Sequence, residues 1–392
     1  MALISEPVEE TKLNHLDDVT TWINDSQGHV NRLPVAGVLN NHAEFLDDEY
    51  LGDGETMLRF NEVGIRAFCQ YIGFRHDQLA KLETPSLASQ IMNDLIRQRD
   101  VREKLGEADF VLDDRTGTIL GIVSESYVSY DNARFLAEIS ELLDTVKEGD
   151  KFEFQEGYTV NTELTLRFSS IKHHGEIQGR GGQGADRTRL GLEFQNSMVG
   201  SCSVQINYFL HRLACANGMM VPAGGAISRV IHSGNRDTFQ KRLGHRFQEM
   251  VRKLGTLDEM LKTLGAMAFV PKTLVADSEA NKLLFEVIPA TKQTICREEG
   301  LQLVYPKEAT DTEKKQLRLE HDARIAALIP KHFGGEHSRK VFLSFCRDSA
   351  TIFDLINVFT EQAKALPPSQ KLAVEGRAGA LAKYISENKK KL

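Results

Sequence analysis

The chain has 392 residues, 41% of them hydrophobic and 26% charged, with a formal net charge of -7. No apolar run approaches the ~18 residues a membrane span needs, the acidic opening MALISEPVEETK lacks a secretory pattern, and the five cysteines are scattered without a C-x-x-C pair. A membrane protein, a disulfide scaffold and a zinc ribbon are therefore set aside, and a cytoplasmic protein with reduced thiols is expected.

Charge is uneven along the chain. Residues 1–56 hold twelve Asp or Glu against Lys12 and Arg32. Residues 165–255 hold thirteen Lys or Arg against Glu176, Asp186, Glu193, Asp237 and Glu249. A basic middle in an acidic chain is the electrostatic footprint of a module that meets phosphates, the alternative being a surface neutralised by the acidic N-terminal segment.

In chain order, residues 1–104 read as an acidic, mostly helical region that begins with a short helix and loop. Thr56–Ala80 has helical spacing, and Thr84-Pro85-Ser86 starts a further helix. Residues 105–270 read as an α+β core. Its first hairpin, FVLDDRTGTILGIVSESY from Phe110, turns between Asp113 and Gly117, and Asn132–Lys147 follows as an amphipathic helix. Phe152–Ile171 alternates as one long strand or a pair. Then comes the basic glycine-rich connection HHGEIQGRGGQGAD, read as mobile. Its Gly179-x-Gly181-x-x-Gly184 matches a dinucleotide fingerprint in letters but precedes a strand, RTRLGLEF, where that fingerprint requires a helix.

The stretch Arg189–Met220 is the most patterned of the chain. Leu190, Leu192 and Phe194 alternate, Asn196–Gly200 turns, and Val204, Ile206, Tyr208 and Leu210 alternate again, which predicts a hairpin. Asn196, Gly200, Cys215, Asn217 and Gly218 are expected to build a structural corner, the Asn-Gly pair ending the element at positive φ. A helix over Arg236–Leu254 carries basic residues opposite its apolar face, and Thr256-x-x-Glu259 predicts a capping box for the next one. Residues 271–392 read as helical.

Tests for catalysis fail. No G-x-x-x-x-G-K-[ST], H-E-x-x-H or G-x-S-x-G motif is present, and no metal, cofactor or catalytic residue is assigned. What accumulates is positive charge on neighbouring elements: Arg167, Lys172, Arg180, Arg187, Arg189, Arg212, Arg236, Lys241 and Arg242 are the candidate nucleic-acid contacts. Phe168, Phe194, Tyr208 and Phe209 are interleaved with them as candidate stacking groups or core.

The segment LGLEFQNSMVGSCSVQINYFLHRLACANGMM, with DDRTGTILGIVSESYVSYDNARFL before it and the IHSGN step and TIFDLINVFTEQAK after it, resembles the phage/plasmid-like domain-of-unknown-function family numbered nine-three-two. The matching positions are Gly121, Tyr127, Asn196, Ser197, Gly200, Arg212, Cys215, Asn217, Gly218, Asn357 and Thr360. The resemblance implies a mobile-element protein in a bacterial host cell, without an established activity, and a distant likeness to single-strand annealing proteins. The expected architecture is α+β, one central antiparallel sheet with helices on one face and helical additions at both ends. The expected function is non-catalytic nucleic-acid binding, single-stranded DNA in replication or recombination, by a homo-oligomer. The alternatives are a protein-binding inhibitor of host defence and a hydrolytic enzyme of unfamiliar type.

Overall fold

The computed structural model describes residues 10–390 apart from 28–29, 41–42, 47–49, 53–56, 80, 83, 128–129, 147–150, 161, 178–185, 201, 213–216, 222–228, 233–234, 289–290 and 334–349. Two sheets stand where one was expected. The larger is wholly antiparallel and ordered β1-β8-β9-β10-β11-β12, with β13 beside β11. Its strands are β1 (Glu10–Leu13), β8 (Phe152–Val160), β9 (Glu163–Ile177), β10 (Asp186–Ser197), β11 (Val204–Arg212), β12 (Asn217–Val221) and β13 (Arg229–Val230). The second is ordered β2-β6-β7-β5-β4-β3, from β2 (Val30–Pro34), β3 (Glu44–Phe45), β4 (Tyr50–Gly52), β5 (Met57–Phe60), β6 (Ala108–Asp113) and β7 (Thr118–Ser124). The hairpin from Phe110 thus forms as expected but joins N-terminal strands, β7 pairing in parallel with β5.

The fifteen helices among the described residues are α1 (Leu16–Gln27), α2 (Val35–Asn40), α3 (Glu62–Ile72), α4 (His76–Leu79), α5 (Pro85–Arg97), α6 (Arg99–Leu105), α7 (Asn132–Asp144), α8 (Arg236–Lys253), α9 (Thr256–Ala266), α10 (Pro271–Ala276), α11 (Ser278–Glu286), α12 (Thr291–Glu298), α13 (Asp311–His332), α14 (Ile352–Ala363) and α15 (Pro368–Glu387). Thr84 caps α5 by accepting from Leu87 N. The capping boxes that form are Thr310/Glu313 on α13 and Thr351/Asp354 on α14. The box expected at Thr256 does not form, because its hydroxyl donates back to the Lys253 carbonyl at 2.7 Å.

The β10–β11 register pairs Leu190 with Leu210, Leu192 with Tyr208 and Phe194 with Ile206, so all six side chains share one face. α7 and α8 cover that face, Phe194 meeting Phe247 at 6.2 Å between ring centroids. Strand alternation turns Arg167 and Glu193 to the opposite face, where α15 lies against them, so helices cover both faces and not one. The second sheet keeps a separate core around Phe45, Phe60, Phe68 and Phe110. Val111, Val123, Met198 and Val199 join the two sheets. At that junction a Cβ on Gly121 would come within 2.7 Å of Val199 Cβ, so the bare backbone is what lets β7 approach the turn after β10.

Candidate nucleic-acid interface

α8 presents the clearest unneutralised positive charge among the described residues. Asn235 caps it, accepting from Thr238 N at 2.9 Å, and Phe239, Leu243, Phe247 and Met250 bury its inner face. The 3.6-residue period then forces Lys241, His245, Gln248 and Arg252 onto one outward stripe, and all four are exposed. Arg236 and Arg242 are exposed beside it, and the side chains of Arg236, Lys241 and Arg242 make no ion pair or hydrogen bond with any described residue. Arg246 and Lys253 are spent differently. Both contact Glu249, at 3.2 and 2.8 Å, and their hydrogen bonds outweigh desolvation to hold that carboxyl below the usual range.

The expected sheet and loop cations fare unequally. Arg187 is exposed and pairs with Glu176 at 2.8 Å, and Arg189 pairs with Glu153 at 2.7 Å. Lys172 is exposed where β9 bulges. There residues 170–173 oppose Leu190 alone, and Ser170 Oγ accepts from the amides of Lys172 and His173 at 3.2 and 3.1 Å. Arg180 and the glycine-rich connection from 178 lie outside the described residues, as does the Arg212 side chain. Gly175 lies within β9. The partners of Arg187, Arg189, Arg246 and Lys253 come from β8, β9 and α8, and not from the acidic first 56 residues.

Arg167 must be withdrawn from any phosphate-contacting surface, because it is wholly buried. Its guanidinium lies 2.9 Å from Glu156 on β8, 2.7 Å from Glu193 on β10 and 2.7 Å from Glu375 on α15. The rings of Phe209 and Tyr158 flank it at 4.7 and 5.3 Å. The Glu375 contact is one of charge at short range, with neither carboxylate oxygen in a directed hydrogen bond among the described residues. Lys371, one turn before Glu375, reaches Glu156 at 3.3 Å and bonds the Tyr158 hydroxyl. Burial alone would lift the Glu156 carboxyl, but Arg167 and Lys371 outweigh it and hold it far below its usual range. Glu375 moves the other way, raised by complete burial against the pull of the same two cations.

Phe168, Phe194, Tyr208 and Phe209 are all buried, so none of them is a stacking platform for an exposed base. Of the expected corner, Asn196 is fully buried, its amide donating to the Tyr130 carbonyl at 3.0 Å and to Asn132 Oδ1 at 2.8 Å. Gly200 sits at φ 73°, with its missing Cβ facing the Tyr127 ring at 3.2 Å. Cys215 lies outside the described residues. Asn217 and Gly218 open β12 opposite Arg212 and His211 where they were expected to end an element. Of the groups that complete this junction, sequence reasoning singled out Tyr127 through the family resemblance and missed Tyr130 and His232. Tyr127 donates to the Ser197 carbonyl at 3.2 Å, and His232 stacks on Tyr127 with centroids 5.0 Å apart. Tyr130 donates to Glu138 at 2.6 Å. A cavity of 390 Å³ opens beside them, lined by Asn24, Arg32, Tyr127, Asp131 and Met198 among others.

Gly121, Tyr127, Asn196, Ser197 and Gly200, scattered over eighty residues, thus converge on one junction between the sheets. The family model described as "Domain of unknown function (DUF932)" matches residues 119–364. The chain belongs to this family. The DUF932 match takes in β8 to α14 and with them the junction, the basic helix and Arg167, Glu156 and Glu193, whereas Glu375 and the second sheet's β2–β6 lie outside it. No curated protein and no solved structure is recognisably similar to the chain.

The buried acids of this DUF932 protein should set its alkaline limit. Burial pushes the Cys69 and Cys202 thiols and the Tyr208 phenol up to about 12, and it raises Tyr127 and Tyr130 as well. A group raised in the folded state contributes stability that is complete below its unfolded value and fades as pH climbs through the folded one. The melting temperature should therefore hold level between about pH 7 and 9 and fall steadily between about pH 9 and 12, as read by circular dichroism. A level profile through pH 11 would remove these groups from the stability of the fold.

Proposed function

We propose that this DUF932 protein binds nucleic acid non-catalytically through its phosphate backbone, with single-stranded DNA of a mobile element as the substrate. The observation that carries the proposal is the solvent-facing side of α8, where Arg236, Lys241 and Arg242 stand exposed without a carboxylate partner among the described residues. In a chain of net charge -7, unneutralised cations on one helix make a local positive field that attracts an anion. Lys172, Arg187 and Arg189 extend the positive region in sequence, the last two already holding carboxylates that a phosphate would have to displace. The grip is on phosphates and tolerates any base sequence.

A salt titration with labelled single- and double-stranded DNA tests this. Changing Lys241, Arg242 and Arg252 together to Gln should weaken binding on the order of 10²-fold at 50 mM salt and flatten the slope of log K against log salt by about 0.7 per lost contact on single strands, about 0.9 on duplex. The melting temperature should not move, because all three side chains are exposed. Undiminished binding by the folded triple variant would clear α8 of the role, and no binding of either form by the parent would overturn the proposal.

A further inference from the structure

Cys296 lies on α12 and His321 on the facing stretch of α13, with Cys296 Sγ 3.9 Å from His321 Nε2. The other ring nitrogen, Nδ1, lies 3.6 Å from Asp322 Oδ1 and makes no hydrogen bond among the described residues. Asp322 is buried and fixed in turn by Lys292 at 2.5 Å and Asn281 at 3.2 Å. Thiol, imidazole and carboxylate follow one another in that order. With the ring proton on Nδ1, toward the carboxylate, the Nε2 lone pair is left to take the thiol proton. A cavity of 450 Å³ has His321 in its wall together with Leu303, Leu317, Glu320 and Arg324. Cys296 is half-buried, which admits a small reactant, whereas Cys69 is fully buried. Cys202 is also partly exposed, but burial pushes its thiol up to about 12 and no imidazole lies against it among the described residues.

We propose that Cys296 is a peroxide-reactive thiol, primed by His321, that hydrogen peroxide or a small organic hydroperoxide oxidises to a sulfenic acid. The thiol proton passes to His321 Nε2 and the sulfur attacks the terminal peroxide oxygen. The S–O bond forms as the O–O bond breaks, and the departing hydroxide or alkoxide takes the proton from His321 and leaves as water or alcohol. Sulfur is oxidised by two electrons and the peroxide reduced by two. Asp322 acts as a positioning residue that favours the Nδ1–H tautomer.

The full-length protein treated with equimolar hydrogen peroxide and trapped with dimedone, peptide by peptide in a mass spectrometer, reads the reaction directly. Cys296 should be labelled at least about tenfold faster than Cys69 or Cys202, and iodoacetamide at neutral pH should follow the same order. His321→Gln should slow Cys296 by about tenfold with an unchanged melting temperature. Labelling of Cys296 no faster than Cys202 in the parent protein would overturn the proposal without recourse to any variant. A folded His321→Gln protein that reacts at the parent rate would overturn it equally.

Discussion

Replacing Arg167 with leucine should cost about 3–5 kcal/mol, because it leaves the buried Glu193 carboxylate without its counter-charge and Glu156 and Glu375 with lysine alone. The guanidinium is the shared counter-charge of Glu156, Glu193 and Glu375, drawn from two neighbouring strands and a helix. Lysine should not rescue it. A compact ammonium on a flexible stem cannot reach three carboxylates and lie between two rings as the planar group does. Chemical denaturation followed by circular dichroism provides the measurement, and a midpoint equal to that of the parent would show that the carboxylates are neutralised by something else. The folded fraction should match the parent in the DNA titration proposed above, since a side chain without exposed atoms contacts no phosphate.

The second large effect is expected at Gly191. A Cβ built there would lie 2.1 Å from the Phe168 carbonyl oxygen and 2.9 Å from Ser169 Cα, both backbone atoms of the paired strand. No rotamer relieves such a contact. β10 would have to leave β9 at the point where their register already shifts, and Gly191→Val should cost more than about 3 kcal/mol or prevent folding. Gly37→Ala is the matched control, because nothing lies within 4 Å of its added carbon. It should stay within about 1 kcal/mol of the parent or gain slightly. Equal stability of the two variants would mean that the close approach of the strands is not required.

The legible part of this fold was the part held by local pattern. Alternation from Leu190 to Leu210 predicted a hairpin and the face it buries, and the observed register agrees with it pair by pair. The outward stripe of α8 followed from the same reasoning with a helical period. Non-local pairing was not legible. The hairpin at Phe110 carries no mark that its partners are Val30–Pro34 and Met57–Phe60, since hydrogen bonds between main chains do not depend on which side chains flank them. Arg167 shows the same limit in the candidate site. Between Leu166 and Phe168, alternation correctly turns it away from the core beneath α7 and α8, and a strand face away from one core is ordinarily solvated. What covers it is α15, and nothing near position 167 announces that. Thr256 failed for a different reason: with α8 ending only three residues earlier, its hydroxyl had a closer carbonyl to bond than the amide a cap would serve.

The contact between the strand at Glu10 and the helix at Ser369 has a consequence for how the chain comes to be folded. Glu10 accepts from the Ser369 amide and hydroxyl at 3.1 and 2.5 Å, and Lys12 and Lys371 share Glu156. During synthesis the charges around Arg167 must wait for a segment made about 200 residues later, a delay on the order of ten seconds or more at ribosomal speeds, and the edge strand at Glu10 waits longer still for Ser369. Through that interval the nascent sheet holds a positive guanidinium and two glutamates with one side open to water. The smaller sheet, complete by Ser124, has no such wait and can close first.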